Sequence, residues 1–364
     1  MTIPETMTAV CLTGIGGPEK LVYRSDMPVP KPGSGQVLIH VGAAGVNNTD
    51  INTRIGWYSK SVKGATSDEG KTGTPGEDPD DDGTWRREGM KFPRIQGADV
   101  CGKIVAVGTG VDESRIGERI LIDPCPRPEK LEDLAYFGSE CDGGFAQFTM
   151  TEAKNAHTIT NDMTDAELAT FPCSYSTAEN LLTRSRCSAS DVVLVTGSSG
   201  GVGSAAVQLA KVRGAKVIAV CGASKAEKIK SLGVDQVVDR DADLAQVLGS
   251  ESVSLVIDLV GGPKWPTLLD VLVRGGRYAT AGAIAGPLVE LDLRTLYLKD
   301  LTLVGCTGLD EGVFQHLVRL INDRKVQPLL CASYPLVEIS KAQEDFLKKT
   351  HVGKLVLLPP AIES

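Results

Sequence analysis

Between an apolar run, Asp191–Thr196 (DVVLVT), and an alanine-rich stretch, Val202–Arg213, stand Ser198, Ser199, Gly200, Gly201, Val202 and Gly203. Such a cluster suits a tight turn from a buried strand into a helix. The turn points the first helical N–H groups at a pyrophosphate, with the helix dipole behind them. Gly200 and Gly201 admit close backbone approach, and Gly203 lets the helix pack down. Ser198 stands at the first glycine of G-x-G-x-x-G, so the pattern reads S-x-G-x-x-G. A glycine cluster alone is also a plain turn; the strand before it and the helix after it make a dinucleotide site the expectation. In NAD enzymes an acidic residue ends the next strand and bonds the ribose 2′-hydroxyl. Here that strand ends Ala219-Val-Cys-Gly-Ala-Ser-Lys-Ala, with Cys221 at the acidic position and Ser224 and Lys225 directly after it. A hydroxyl and an ammonium attract a 2′-phosphate that a carboxylate would repel, so NADP(H) is the expected cofactor. The alternative is that Ser224 caps the next helix and Lys225 is simply solvated.

Metal and thiol chemistry find less support. The nine cysteines are dispersed, and none form a C-x-x-C pair. Neither a zinc site nor a redox dithiol is therefore expected, and the pattern reads as reduced thiols of a cytoplasmic protein. The net charge of −8 argues against a nucleic-acid surface. No apolar run approaches the ~18 residues that cross a bilayer, and the N-terminus MTIPETMTAV has no secretory h-region.

The elements that must position these residues fall into three regions. Residues 1 to 165 are rich in Gly, Pro and β-branched residues, with short strands such as Gln36–His40 and Lys103–Val107, and read as a β-rich module. Within it, Gly64 to Gly83 is acidic and lacks large apolar residues; a solvated insertion is expected, a functional lid being the alternative. Residues 166–324 alternate short apolar strands (Lys216–Val220, Val237–Asp239, Ser254–Leu259, Arg277–Thr280, Leu301–Gly305) with helices. These include Val202–Arg213, Lys225–Ser231 and Trp265–Val273, the signature of a parallel sheet covered on both faces. Residues 325–364 return to strand–helix–strand texture and rejoin the first module. The fold class is thus α/β: a Rossmann doubly wound sheet plus a β-rich domain.

Six motifs in order carry a family resemblance: G-V-N-N-T-D at Gly45–Asp50, G-A-D-V-C-G-K-I-V at Gly97–Val105, D-G-G-F-A-Q-F at Asp142–Phe148, P-C-S-Y-S-T-A at Pro172–Ala178, the run Ser198–Lys211, and the terminal H-V-G-K-L-V-L. With them the chain resembles the medium-chain dehydrogenase/reductase superfamily, in its zinc-independent, quinone oxidoreductase-like branch. The resemblance implies a GroES-like β-barrel catalytic domain, residues 1–165 completed by 325–364, around a Rossmann domain. It also implies a homodimer or homotetramer. Zinc alcohol dehydrogenases of the superfamily carry a cysteine, a histidine and a later cysteine as metal ligands. The matching positions here are Asn47, Ala98 and Cys173, so no metal is expected.

Without a Lewis acid, hydride delivery to an electron-poor acceptor remains accessible. A quinone or an α,β-unsaturated carbonyl is the expected substrate, with neutral polar groups steadying the nascent anion. Asn47, at the vacated ligand position, is expected to face the substrate, or else to be a structural turn amide. Asp50 is an orienting partner or a helix cap, and Tyr58 a proton donor or a packing residue. By the resemblance Thr177 touches the nicotinamide, though it could instead cap its helix. Lys354 is either a contact to the cofactor phosphates or a solvated strand-edge lysine. Cys173 reads as a buried relic, and Asp99 as a maker of structural hydrogen bonds. A cofactor-binding protein with a structural, sensory or RNA-associated role is the alternative function, and a zinc alcohol dehydrogenase a more distant one.

Overall fold

The structure, a computed structural model, describes residues 2–66, 90–126 and 128–362; most of the expected insertion lies outside them. Two units emerge. Among the described residues the first contains the chain up to Val62, the stretch from 90 through Cys173, and the chain from Phe314 onward; the second contains residues 63–66 and Ser174–Val313.

In the first unit, strands β1 (Thr6–Leu12), β2 (Leu21–Pro28), β3 (Gln36–Gly45), β4 (Arg94–Ile95), β5 (Cys101–Val107), β6 (Arg119–Ile122), β7 (Phe148–Glu152) and β8 (Ala156–Thr158) form two sheets. The smaller runs β2-β1-β4. The C-terminal segment contributes two strands to the larger. Numbered β15 (Leu330–Pro335) and β16 (Lys354–Leu358), these late strands give the order β15-β16-β3-β5-β6-β8, with β7 also on β3. From β3, Val37, Leu38, Ile39, Val41 and Ala44 are buried in one cluster with Val10, Ile104, Ile120, Phe145, Phe148 and Leu357, the core of a GroES-like barrel.

In the second unit, β9 (Val192–Val195), β10 (Lys216–Cys221), β11 (Gln236–Asp239), β12 (Val253–Asp258), β13 (Leu272–Thr280) and β14 (Thr302–Gly305) pair in parallel, in the order β11-β10-β9-β12-β13-β14. The order reverses at β9, as in a Rossmann fold, and ligands bind beyond the strand C-termini at such a reversal. The helix expected over Trp265–Val273 stops at Asp270, because Leu272 pairs with Val253 and starts β13.

The unit boundaries fall at 173/174 and 313/314, inside the expected 165/166 and 324/325. Helix Val313–Asn322 sits almost entirely in the first unit, where His157 stacks on Phe314 at 4.9 Å and Thr160 N–H donates to Asn322 at 3.0 Å. Among the described residues no helix is long and apolar enough to cross a membrane.

Candidate active site

In the first unit β3 ends at Gly45, where a Cβ would lie 2.4 Å from Asp99 Oδ2 and 2.6 Å from the Ala169 carbonyl. Only glycine lets the chain pass this close to the carboxylate. Two residues on, Asn47 is the N-cap of helix Asn48–Arg54, and Asp50 Oδ2 accepts from its N–H at 2.7 Å. Burial pushes the Asp50 carboxyl up to about 7. Asp50 is thus the N3 member of a capping box with Asn47, and its backbone carbonyl accepts from Gln96 Nε2 at 2.9 Å.

Asp99 is the hub. Its Oδ1 accepts from Cys173 N–H at 2.5 Å; its Oδ2 accepts from Asn47 Nδ2 at 2.8 Å and from the Lys354 ammonium at 2.7 Å. The same ammonium donates to Asn47 Oδ1. Asp99 and Lys354 are 0 % and 2 % exposed. Beyond them Tyr136 Oη and Cys173 Sγ share a hydrogen bond of 2.9 Å, and burial pushes the thiol up to about 12. Tyr58 is half-buried, donates to Thr49 Oγ1 at 3.3 Å, and is likewise pushed up by burial to about 12.

Three expectations change. Lys354 is neither solvated nor offered to cofactor phosphates, because it is spent on Asp99 and Asn47. The Asn47 amide is engaged at both ends inside this set and is not turned toward a substrate. The set is not composed of neutral groups only, since an ammonium supplies its positive charge. Nor do these residues fit zinc: Asn47 and Ala98 stand at two of the three ligand positions, and the Asp99 carboxylate already holds the Lys354 ammonium. Among the described residues no group of three or more His, Cys, Asp or Glu side chains is placed to hold a metal.

In the second unit the glycine turn forms as its sequence dictates. Gly197 takes φ +58°, Gly200 caps helix Gly201–Val212, and a Cβ on Gly203 would lie 2.2 Å from the Gly197 carbonyl. A Cβ on Gly200 would meet only that carbonyl, at 3.6 Å, so this face of the turn is open toward a ligand. Gly200, Gly201 and Val202 are half-buried there. The cradle fits a pyrophosphate.

Ser198 departs from expectation. It is fully buried, and both its N–H and its hydroxyl donate to the Val220 carbonyl, at 3.1 and 2.9 Å, so it ties the turn to β10 and does not face a dinucleotide. Ser199 Oγ accepts from Lys225 Nζ at 3.4 Å. Cys221 is buried at the end of β10 and Ser224 is exposed. The following helix, Ala226–Lys230, is capped at Lys225 without a side-chain cap bond.

Burial, and then the Arg240 guanidinium, hold the Lys225 amine below its usual range. A Cβ on Gly222 would lie 3.7 Å from Arg240 Nε, so Lys225 and Arg240 both border the chain where β10 ends. Arg240 went unread in the sequence because it follows the next strand. Thr177, in helix Pro172–Arg184, is the one residue of the run Phe171–Leu182 that is not buried.

A Rossmann sheet with a pyrophosphate cradle and a GroES-like barrel holding a buried polar set are the two parts of a nicotinamide-dependent oxidoreductase. The alcohol dehydrogenase GroES-like domain model matches residues 33–161, and the zinc-binding dehydrogenase model residues 201–323. A quinone oxidoreductase of Rattus norvegicus is 27 % identical over 97 % of this chain and 98 % of its own. An acryloyl-coenzyme A reductase of Metallosphaera sedula is 28 % identical over 90 % and 93 %. A solved structure from Sinorhizobium meliloti 1021, provisionally assigned as an alcohol dehydrogenase, is 48 % identical over 98 % of both chains with a TM-score of 0.88. The chain belongs to the medium-chain dehydrogenase/reductase family, in its quinone oxidoreductase-like branch.

Proposed function

We propose that the protein is an NADPH-dependent, metal-independent reductase of quinones or of α,β-unsaturated carbonyl compounds. The observation that carries this is the Lys354–Asp99–Asn47 set. With an ammonium on the buried carboxylate there is no seat for a Lewis acid, and alcohol oxidation loses its means of forming an alkoxide. Reduction of an electron-poor acceptor needs only a hydride and a proton. The relatives named quinone oxidoreductase and acryloyl-coenzyme A reductase support that substrate class.

The cofactor, when bound, supplies the hydride. The chain's own residues do the rest. Ser199 to Gly203 direct N–H groups at the pyrophosphate, and Ser224, Lys225 and Arg240 hold the 2′-phosphate. Thr177 lines the nicotinamide site. Tyr58 stays protonated through the neutral range and gives its proton to the anion left by hydride addition, so that two electrons and two protons are added to the acceptor. Asn47 and Asp50 fix the helix start from which Thr49 holds the Tyr58 hydroxyl.

The test follows NADPH absorbance with a panel of quinones, enones and enals, NADH serving as control. Turnover with NADPH preferred is expected, and Lys225→Gln with Arg240→Gln is expected to erase the preference. Tight NADPH binding without consumption across the panel would favour the binding-protein alternative. The protein is further proposed to act as a homo-oligomer.

A further inference from the structure

Asp258, the last residue of β12, is fully buried. Among the described residues no basic side chain pairs with it. Four donors converge on it instead. Its Oδ1 accepts from Thr196 Oγ1 at 2.5 Å and from Val260 N–H at 3.0 Å; its Oδ2 accepts from Tyr278 Oη at 2.7 Å and from Gly261 N–H at 3.1 Å. The Thr196 hydroxyl oxygen in turn accepts from Leu259 N–H at 3.0 Å.

These bonds join three strand ends. Thr196 follows β9 and immediately precedes the glycine turn. Val260 and Gly261 form the loop after β12, and Tyr278 lies in β13. The loops are themselves close-packed: a Cβ on Gly261 or Gly262, at φ +61° and +70°, would lie 2.9 Å from the Gly286 carbonyl or 2.7 Å from the Ala285 carbonyl. Ala285 N–H donates to the Val260 carbonyl at 2.9 Å. A carboxylate suits this position because it accepts on every lone pair, whereas an amide would turn an NH2 group on two of the donors.

The geometry points to Asp258 as a positioning residue for cofactor binding. It acts through Thr196 on the glycine turn and through Val260, Gly261 and Tyr278 on the loops at the strand C-termini. The inference rests on the reading that the second unit binds a nicotinamide dinucleotide. Lys225, four residues beyond the end of β10, is not among the groups bonded to Asp258, so the 2′-phosphate end of the cofactor is predicted to be insensitive to it.

The experiment measures dissociation constants of NADPH and of adenosine 2′-monophosphate for wild type, Asp258→Asn and Thr196→Val by calorimetry, at temperatures where each variant is folded. In both variants NADPH is expected to weaken about tenfold or more, the cost of buried donors left unpaired, while adenosine 2′-monophosphate, which has no phosphate for the glycine turn, stays within about twofold. Unchanged NADPH binding overturns the proposal. So does equal weakening of both ligands, which is what a purely structural role would give. Should Asp258→Asn fail to fold, Thr196→Val decides by the same criteria. A wild-type protein that binds neither ligand would refute the cofactor reading itself, a result separate from either variant's outcome.

Discussion

Asp99 carries three donors on two oxygens while shut off from water, and one of the three is an ammonium. Breaking such a buried pair by removing one partner is expected to cost about 3–5 kcal/mol, because the other charge is left stranded. Lys354→Met should therefore be strongly destabilised in urea unfolding. Adding Asp99→Asn should restore part of the loss, and strictly additive losses would show that the two side chains are not coupled. Asp123 offers a pH test. Burial raises its carboxyl to about 7, against a Cys125 N–H that donates to it at 3.0 Å. The folded state thus holds a proton that the unfolded chain has released by about pH 4. Its contribution is full below that pH and is lost as pH climbs to about 7. Asp123→Asn keeps the acceptor and removes the titration. Its urea midpoint should fall less than the wild-type midpoint between pH 4.5 and 7.5, roughly the span of that titration; parallel pH curves would contradict the assignment.

Among elements, the glycine turn separates what the protein needs from what the ligand needs. Gly203→Ala drives a Cβ into the backbone carbonyl of Gly197, which cannot step aside, so turn and helix must part. About 1–3 kcal/mol of stability and most NADPH affinity should go together. Gly200→Ala meets nothing closer than 3.6 Å and should cost only about 1 kcal/mol, as a weakened N-cap. If it nonetheless impairs NADPH binding while binding of adenosine 2′-monophosphate persists, the pyrophosphate is what requires the missing side chain; unimpaired NADPH binding would place the phosphates elsewhere. This turn was legible in the sequence because strand, glycines and helix are consecutive. The parallel strands were legible for the same reason, each being a short apolar run between helices. The Asp99–Lys354 pair was not, since its members stand in the loop before β5 and at the start of β16, and no spacing joins them. Tyr136 belongs to none of the motifs and reaches Cys173 only through folding. Ser198 was misread because its hydroxyl had a closer acceptor, the Val220 carbonyl, in the adjacent strand.

For the molecule as a whole, one surface of the second unit stands unaccounted for. Leu288, Val289, Leu293, Tyr297, Leu298 and Leu303 are all exposed, between 38 and 66 %, and all fall within sixteen consecutive residues. Leu303 lies in β14, the outermost strand of the six-stranded sheet. An apolar edge strand flanked by exposed leucines invites uncontrolled pairing unless something covers it, and a symmetric copy of the same surface is the commonest cover. A net charge of −8 keeps the rest of the surface from associating. Light scattering at micromolar concentration should therefore find an oligomer, and Tyr297→Glu with Leu303→Glu should reduce it to monomers. Because neither residue belongs to the glycine turn or to the Lys225–Arg240 pair, those monomers should still bind NADPH. A monomeric wild type would remove the need for a partner and leave this patch without a task.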